Sequence, residues 1–278
     1  MGADLKTLIV PVSGGKDSQV VLSLALQEAK ATGQPLVCVH QNTGFDHPST
    51  YKHMEAMMKF YGVEILQTQN RFGGMLPFIK EAGYFPNSAA RGCTKELKQK
   101  PFLAWLQERN CNSTNCEIWF GMRTEESAAR NAKYGGKTAS EELTLADVSD
   151  FYASNAALRL SIGSIRVFLP VVDWKTKEIF DHLKEEGAPI NPLYSAGASR
   201  VGCYPCLLSR KSEWAAAAKD PVGRANIEAL IAQEDEWALK GNHRKLIKIH
   251  KVWDVRQFLT DPDSLPDLSQ AQCGWCSI

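Results

Sequence analysis

Apolar and polar positions fall along this chain in blocks whose period changes. Leu8 to Val12 is an unbroken run rich in β-branched residues, the pattern of a strand buried on both faces. After a short polar break, Val20, Val21, Leu22, Leu24 and Leu26 recur at helical spacing and predict a helix from Ser18 to about Thr32. Pro35 to His40 predicts a second strand, Thr50 to Tyr61 a helix and Val63 to Thr68 a third strand. Glu117 to Phe120 predicts a fourth strand and Ile165 to Val172 a fifth. Trp174 to Glu186 reads as an amphipathic helix stopped by Gly187-Ala188-Pro189. This alternation predicts an α/β fold: a parallel, right-handed, doubly wound sheet of about five strands. The stretch from Arg71 to Ser88 is rich in Gly, Phe and Pro and ends in a site loop, and residues 131–158, polar and Ala-rich, read as a mobile excursion over the site. Beyond Cys206 the pattern turns helical, with segments at Trp214–Ala218, Ala225–Ala238 and His243–Lys251. We therefore divide the chain into residues 1–210 and a small helical region, 211–278.

Composition narrows the class. An apolar fraction of 44% and a charged fraction of 23% over 278 residues describe a globular protein with a full core. A net charge of +1 argues against a globally basic nucleic-acid binder, though not against a local basic face. No run of 18 apolar residues occurs and Asp4 stands close to the start, so we expect a cytoplasmic protein with no membrane association. Eight cysteines in that compartment read as metal ligands or redox groups rather than disulfides. Cys203-Tyr204-Pro205-Cys206 and Cys273-Gly274-Trp275-Cys276 are both C-x-x-C pairs, the spacing that puts two thiolates on one metal. Cys38 reads as a small buried hydrophobe, while Cys111 and Cys116 flank a polar loop and carry no clear signal.

The chemistry concentrates at strand ends. Between the first strand and its helix lies Ser13-Gly14-Gly15-Lys16-Asp17-Ser18. Two glycines let the backbone approach an anion, the helix start offers N–H donors, and Lys16 with the two serine hydroxyls adds charge and donors. Asp17 after the lysine excludes the Walker loop. Asn42-Thr43-Gly44 follows the second strand, at the carboxyl edge where open parallel sheets bind ligands. Arg91, Lys95 and Lys98 crowd around Cys93 and would favour its thiolate, although a lysine-rich helix start is usually only a solvated face. Gly121, Arg123, Glu126, Ser127 and Arg130 leave the fourth strand and suit a polyanion and its metal, the plain alternative being a surface helix.

Taken together, these motifs resemble the ATP-pyrophosphatase superfamily, whose pyrophosphate loop reads Ser-Gly-Gly-Lys-Asp-Ser. They resemble in particular its phosphoadenosine phosphosulfate (PAPS) reductase and ATP sulfurylase-like members. The Arg91 to Pro101 element, Gly121 to Arg130, Asp173-Trp174, Asn191-Pro192-Leu193 and Gly202-Cys203-x-x-Cys206 follow in the order of that family, over residues 8–210. The resemblance implies an adenine nucleotide alpha-hydrolase-like fold with ATP and Mg2+ at Ser13, Gly14, Gly15, Lys16, Asp17 and Ser18. Asn42, Thr43 and Gly44 would line the adenosine pocket, with Asn42 standing where relatives have Asp. Gly121, Arg123, Glu126, Ser127 and Arg130 would complete the nucleotide site, and Lys16 and Arg123 would act in catalysis. Cys93, Cys203 and Cys206 match ligands of a [4Fe-4S] cluster, and Thr94 replaces an adjacent fourth cysteine. We expect Cys276 as fourth ligand and Cys273 as reactive thiol, with the two roles exchangeable; a structural Zn2+ on the two C-x-x-C pairs, or a metal-free dithiol, is the alternative. The implied activity is adenylating sulfur transfer with loss of pyrophosphate, plausibly onto DNA or RNA. The alternatives are reduction of PAPS or adenosine phosphosulfate (APS) with release of sulfite, and a nucleotide-binding module without turnover. A sulfur or electron donor protein is the expected partner, a homo-oligomer is compatible, and the basic run His243–Lys251 is a candidate nucleic-acid contact.

Overall fold

The computed structural model describes residues 5–242, 244–246 and 254–261. In chain order its elements are β1 (Thr7–Pro11), α1 (Lys16–Thr32), β2 (Leu36–Gln41), α2 (Pro48–Tyr61), β3 (Ile65–Thr68) and α3 (Met75–Ala82). Next come a helical turn α4 (Gly92–Thr94), a π-type turn (Lys95–Gln99), α5 (Lys100–Glu108) and β4 (Cys116–Trp119). A 3-10 turn (Thr124–Glu126), α6 (Ala128–Tyr134), β5 (Leu143–Thr144), α7 (Leu145–Val148), α8 (Asp150–Ala153) and α9 (Ala156–Leu160) follow. The chain then forms β6 (Arg166–Phe168), α10 (Thr176–Glu185), α11 (Lys211–Lys219), α12 (Pro221–Leu239) and α13 (Arg256–Thr260).

The sheet runs β3-β2-β1-β4-β6-β5. Every pairing from β3 to β6 is parallel, while β5 joins the edge antiparallel. β1 lies centrally, so its carboxyl end opens at the point where strand order reverses, the crevice in which such sheets take ligands. Both faces are covered. Val10 packs with Val20, Val21, Leu22, Met57, Ile179 and Leu183 of α1, α2 and α10, and Ile9 packs with Phe102 and Leu106 of α5. The doubly wound α/β architecture therefore stands, with a sixth strand added to the expected five.

Residues 131–158 do not form a loose excursion. Tyr134, Leu143, Leu145, Val148 and Tyr152 are buried against Val167 and Ile165, which holds α6–α9 and β5 on the sheet. These apolar residues are spaced across several very short elements, so no single period betrays them. A further core joins Phe45, Met75, Phe78, Ile79 and Leu97 to Trp214, Ala217, Ile227, Leu230 and Trp237 of α11 and α12. In the run His243–Lys251, Arg244 to Leu246 are not helical, and His243 and residues 247–253 lie outside the described residues. Cys273 and Cys276 lie outside them as well. No helix of the described residues is long and apolar enough to cross a membrane.

Candidate functional site

The loop after β1 is a tight bend into the first turn of α1, with Gly14, Gly15 and Lys16 buried and Ser13 and Asp17 partly exposed. Gly14 turns at φ +72, and a Cβ there would stand 2.6 Å from Thr50 Cγ2, so only glycine fits. Ser18 Oγ accepts from the Ser13 N–H at 3.1 Å and donates to the Gly15 carbonyl at 3.0 Å, while the Ser13 and Ser18 hydroxyls meet at 3.1 Å. Ser13 and Ser18 thus brace the bend internally. α1 starts at Lys16 behind Gly15, which as N-cap has no side chain of its own to offer the first turn. Two residues of the 191–194 turn fasten the loop: Asn191 Nδ2 donates to the Gly14 carbonyl at 3.1 Å, and the Lys16 N–H donates to Tyr194 Oη at 2.9 Å. Gly121 closes the other side, since a Cβ on it would come within 2.8 Å of the Asp17 carbonyl carbon and the Ser18 nitrogen.

A charge network lies beneath this bend. Lys16 Nζ pairs with Asp17 at 3.0 Å and stands 5.3 Å from the Tyr194 ring centroid and 6.0 Å from that of Phe180. Arg123 Nε pairs with the other Asp17 oxygen. Arg123 was expected to face a polyanion, yet it is 2% exposed and directs its donors into the protein. Its Nη1 donates to Glu125 at 2.8 Å and the Trp174 carbonyl at 3.0 Å, and its Nη2 to Thr176 Oγ1 at 3.2 Å. A guanidinium taken from water needs such acceptors, so Arg123 orients Asp17 and, through it, Lys16. Hydrogen bonds from Thr176 and Arg123 hold the Glu125 carboxyl down at about 2. Glu126 accepts from the Arg123 N–H at 3.1 Å and pairs with Arg130, and Ser127 caps α6 by accepting from the Arg130 N–H at 3.2 Å. Burial, then the repulsion of Arg200, lowers the Arg130 guanidinium.

The second strand delivers the neighbouring wall. His40 Nδ1 bonds the Val12 carbonyl at 2.8 Å, joining β2 to the start of the loop. Asn42 Oδ1 accepts from the Gly44 N–H at 2.8 Å and from Tyr51 Oη at 3.0 Å, and Asn42 Nδ2 donates to Gln67 at 3.0 Å. An amide serves there as both donor and acceptor, which a carboxylate could not. Gly44 has φ +62 and lies so close to Gly74 Cα, 2.9 Å from a Cβ built on it, that no side chain fits. Thr43 Oγ1 donates to Asp46 at 2.8 Å and lies 3.3 Å from Cys203 Sγ. The Asn42–Asp46 turn is thereby bound to the cysteine segment, which the Tyr204 N–H reinforces by donating to the Phe45 carbonyl at 2.7 Å.

Lys98 lines one cavity with Cys203 and Cys206, and Cys93 lies near enough to act on its charge. Burial works against the Lys98 ammonium, but Cys203, Asp46, Cys206 and Cys93 outweigh it and raise its pKa. The thiolate expected to be favoured at Cys93 is not: burial and the nearby Cys206 push that thiol up, and Lys98 offsets them only in part. Burial and Asp46 likewise push Cys203 up to about 12. That cavity, of about 110 Å³, is lined also by Arg200 and Ser209. Three soft thiols suit iron or zinc in kind, yet among the described residues no group of three or more such side chains is assembled as a metal site. The two further cysteines that could complete a set lie outside the described residues.

Several supporting residues carry no role in the sequence reading. Tyr194, Phe180, Thr50 and Glu125 act through contacts between segments far apart in the chain. Asn191 and Tyr194 do lie in a motif, Asn191-Pro192-Leu193-Tyr194, whose position beside Gly14 no spacing rule reveals.

The family model described as phosphoadenosine phosphosulfate reductase domain matches residues 7–209. An uncharacterized protein of Methanocaldococcus jannaschii is 28% identical over 201 residues, 72% of this chain and 36% of that protein. The chloroplastic 5'-adenylylsulfate reductase 1 of Arabidopsis thaliana is 22% identical over 202 residues, 72% of this chain and 38% of that enzyme. The chain thus matches little more than a third of the length of either relative. Among solved structures, the phosphoadenylyl-sulfate reductase of Candida auris aligns with a TM-score of 0.47 and 15% identity, over 72% of this chain and 82% of that one. The U34-tRNA thiolase NcsA of Methanococcus maripaludis, which carries a [4Fe-4S] cluster, aligns with a TM-score of 0.46 and 15% identity, over 93% of this chain and 82% of that one.

Proposed function

Because the chain belongs to the phosphoadenosine phosphosulfate reductase domain family, we propose that it is an enzyme that binds an adenine nucleotide on the Ser13–Ser18 loop. We further propose that the nucleotide is ATP, cleaved between its α- and β-phosphates to drive sulfur transfer. The observation that carries this reading is Lys16, held in the first turn of α1 beside the Gly14 bend by Asp17, whose charge Arg123 shares. A carboxylate divided between two cations leaves the ammonium incompletely neutralised and available to a polyphosphate.

The loop amides and Lys16 take the β- and γ-phosphates, whose remaining charge Mg2+ would help neutralise when bound. An acceptor oxygen or sulfur attacks the α-phosphorus, the bond to the bridging oxygen breaks, and pyrophosphate leaves against Lys16. Asn42, Thr43 and Gly44 line the adenosine side, Gly121, Glu126 and Ser127 shape the opposite wall, and Arg130 adds positive charge at the mouth. Arg123 is a positioning residue. Cys93, Cys203 and Cys206, with Cys276 as fourth ligand, would hold an iron–sulfur cluster, which supplies a redox-active site for sulfur; Cys273 would carry the transferred sulfur as a persulfide. A sulfur donor protein and a DNA or RNA acceptor complete the reading.

A second reading, reduction of PAPS or APS, is favoured by the family itself and by the Arabidopsis thaliana relative. There Cys273 attacks the sulfonyl sulfur, the nucleotide leaves, and reduction of the resulting thiosulfonate by an electron donor frees sulfite. Anaerobic purification with iron, sulfide and zinc analysis, followed by assays for pyrophosphate from ATP and sulfite from PAPS or APS, tests the proposal. Iron with sulfide and acceptor-dependent pyrophosphate release supports it. Sulfite release replaces it with the reductase, zinc without iron removes the cluster, and neither product with any acceptor leaves a nucleotide-binding module.

A further inference from the structure

Cys111 and Cys116 flank the turn from α5 into β4, and the loop between them folds back on itself. α5 ends at Glu108, Asn110 turns through the left-handed region at φ 53, and the Cys111 N–H reaches back to the Leu106 carbonyl at 2.9 Å. Three asparagines then bond the loop to itself. Asn112 N–H donates to Asn115 Oδ1 at 2.8 Å, Asn115 Nδ2 to the Asn110 carbonyl at 2.9 Å, and the Cys116 N–H to the Asn112 carbonyl at 3.2 Å. As a result Cys116 Sγ donates to the carbonyl of Asn112, the residue bonded to Cys111, at 3.2 Å, and the two thiols lie close enough to act on each other's titration. Cys116 is buried in the core beneath the sheet, while Cys111 packs on the edge of that core and remains partly exposed.

We propose that Cys111 and Cys116 are a redox-active dithiol that closes reversibly into a disulfide. The inference is independent of the nucleotide chemistry. The two thiols divide the work by environment. Cys116, and more weakly Arg109, lowers the Cys111 thiol, and Cys111 is the one an oxidant can reach. Cys111 and burial in turn raise Cys116, which suits the resolving partner. The oxidant is a small disulfide such as oxidised glutathione. Cys111 thiolate attacks one of its sulfurs, the disulfide bond breaks, and one glutathione thiolate leaves. Cys116 then loses its proton and attacks Cys111 sulfur, a second glutathione leaves, and the protein pair has given up two electrons and two protons. The bridge ties α5, continuous with the Cys93–Lys98 segment, to β4, whose Cys116 pairs with Thr7 of β1.

Trypsin releases both cysteines in one peptide, residues 110–123, because Arg109 and Arg123 flank them. The full-length protein is equilibrated in glutathione buffers of rising oxidised fraction, alkylated, digested and mapped by mass spectrometry. We expect that peptide to lose two hydrogens and both alkylation sites in oxidising buffer, to recover them on reduction, and the oxidised protein to melt at higher temperature. The Cys116→Ser variant should instead accumulate a glutathione adduct on Cys111. Free thiols at both positions under oxidising buffer, stable glutathionylation of wild-type Cys111, or a bridge from either cysteine to another part of the chain would overturn the proposal. The wild-type map decides the question even if the variant fails to fold.

Discussion

Arg123 shows how a charged residue beside a ligand loop can be occupied by the protein. Its guanidinium meets Asp17, Glu125, Thr176 and the Trp174 carbonyl, so its removal strands the Asp17 carboxylate beside Lys16 alone. Arg123→Ala should cost about 3–5 kcal/mol in urea unfolding, the range for breaking a buried pair. Gly121 tests the same loop sterically. With a Cβ position 2.8 Å from the Asp17 and Ser18 backbone, Gly121→Ala should cost about 1–3 kcal/mol and weaken nucleotide binding measured by calorimetry, because the loop itself must move. His53 gives the pH dependence. It is buried, its Nε2–H donates to Gln19 Oε1 at 3.0 Å, and burial lowers its pKa to about 4 from 6.5. The folded state therefore binds fewer protons than the unfolded chain between those values, and stability contributed by the neutral imidazole is present above pH 6.5 and lost as pH falls toward 4. Thermal melts should show a penalty on the order of 3 kcal/mol growing across that window, absent in His53→Gln.

At the scale of elements, what the sequence reveals follows the length and period of each segment. β1 is a nearly continuous apolar run because both its faces are covered, and α1 and α10 carry an apolar stripe against it. β5 has two residues, and α7 to α9 four or five each, too short for any period to emerge. Their core residues, Leu143, Leu145, Val148 and Tyr152, are scattered among polar neighbours, which is why 131–158 reads as loose. The glycines and serines of the loop are legible because their types are forced locally, whereas Tyr194 and Asn191 reach Lys16 and Gly14 across more than 170 residues. The charge neighbourhood of Cys93 reads wrongly for a related reason: spacing reports nearby lysines but not the burial that outweighs them. α11 contributes Trp214, fully buried with Phe45 and Phe78. Trp214→Ala should lose about 3–5 kcal/mol, with near-ultraviolet dichroism reporting the loosened core. A loss under 1 kcal/mol would mean that α11 is not integral to it.

Over the whole molecule, a central β1 places the Ser13–Ser18 loop at the crevice, and the flanking strand ends bring Asn42–Gly44 on one side and Gly121–Arg123 on the other. The Asp46–Cys203 bridge and the shared core of α3, α11 and α12 then hold the cysteine segment against that crevice. The Ser13–Ser18 loop and the cysteine segment thus share one end of the sheet. The central claim is that Lys16 serves a polyphosphate, and it is tested most directly by calorimetric titration of wild-type protein and Lys16→Met with ATP–Mg2+ and with PAPS. Wild type should prefer ATP, and Lys16→Met should lose about tenfold or more of that affinity, as expected for one charge-assisted contact. Tight PAPS binding by both proteins, with ATP ignored, would contradict it and identify a sulfonucleotide site.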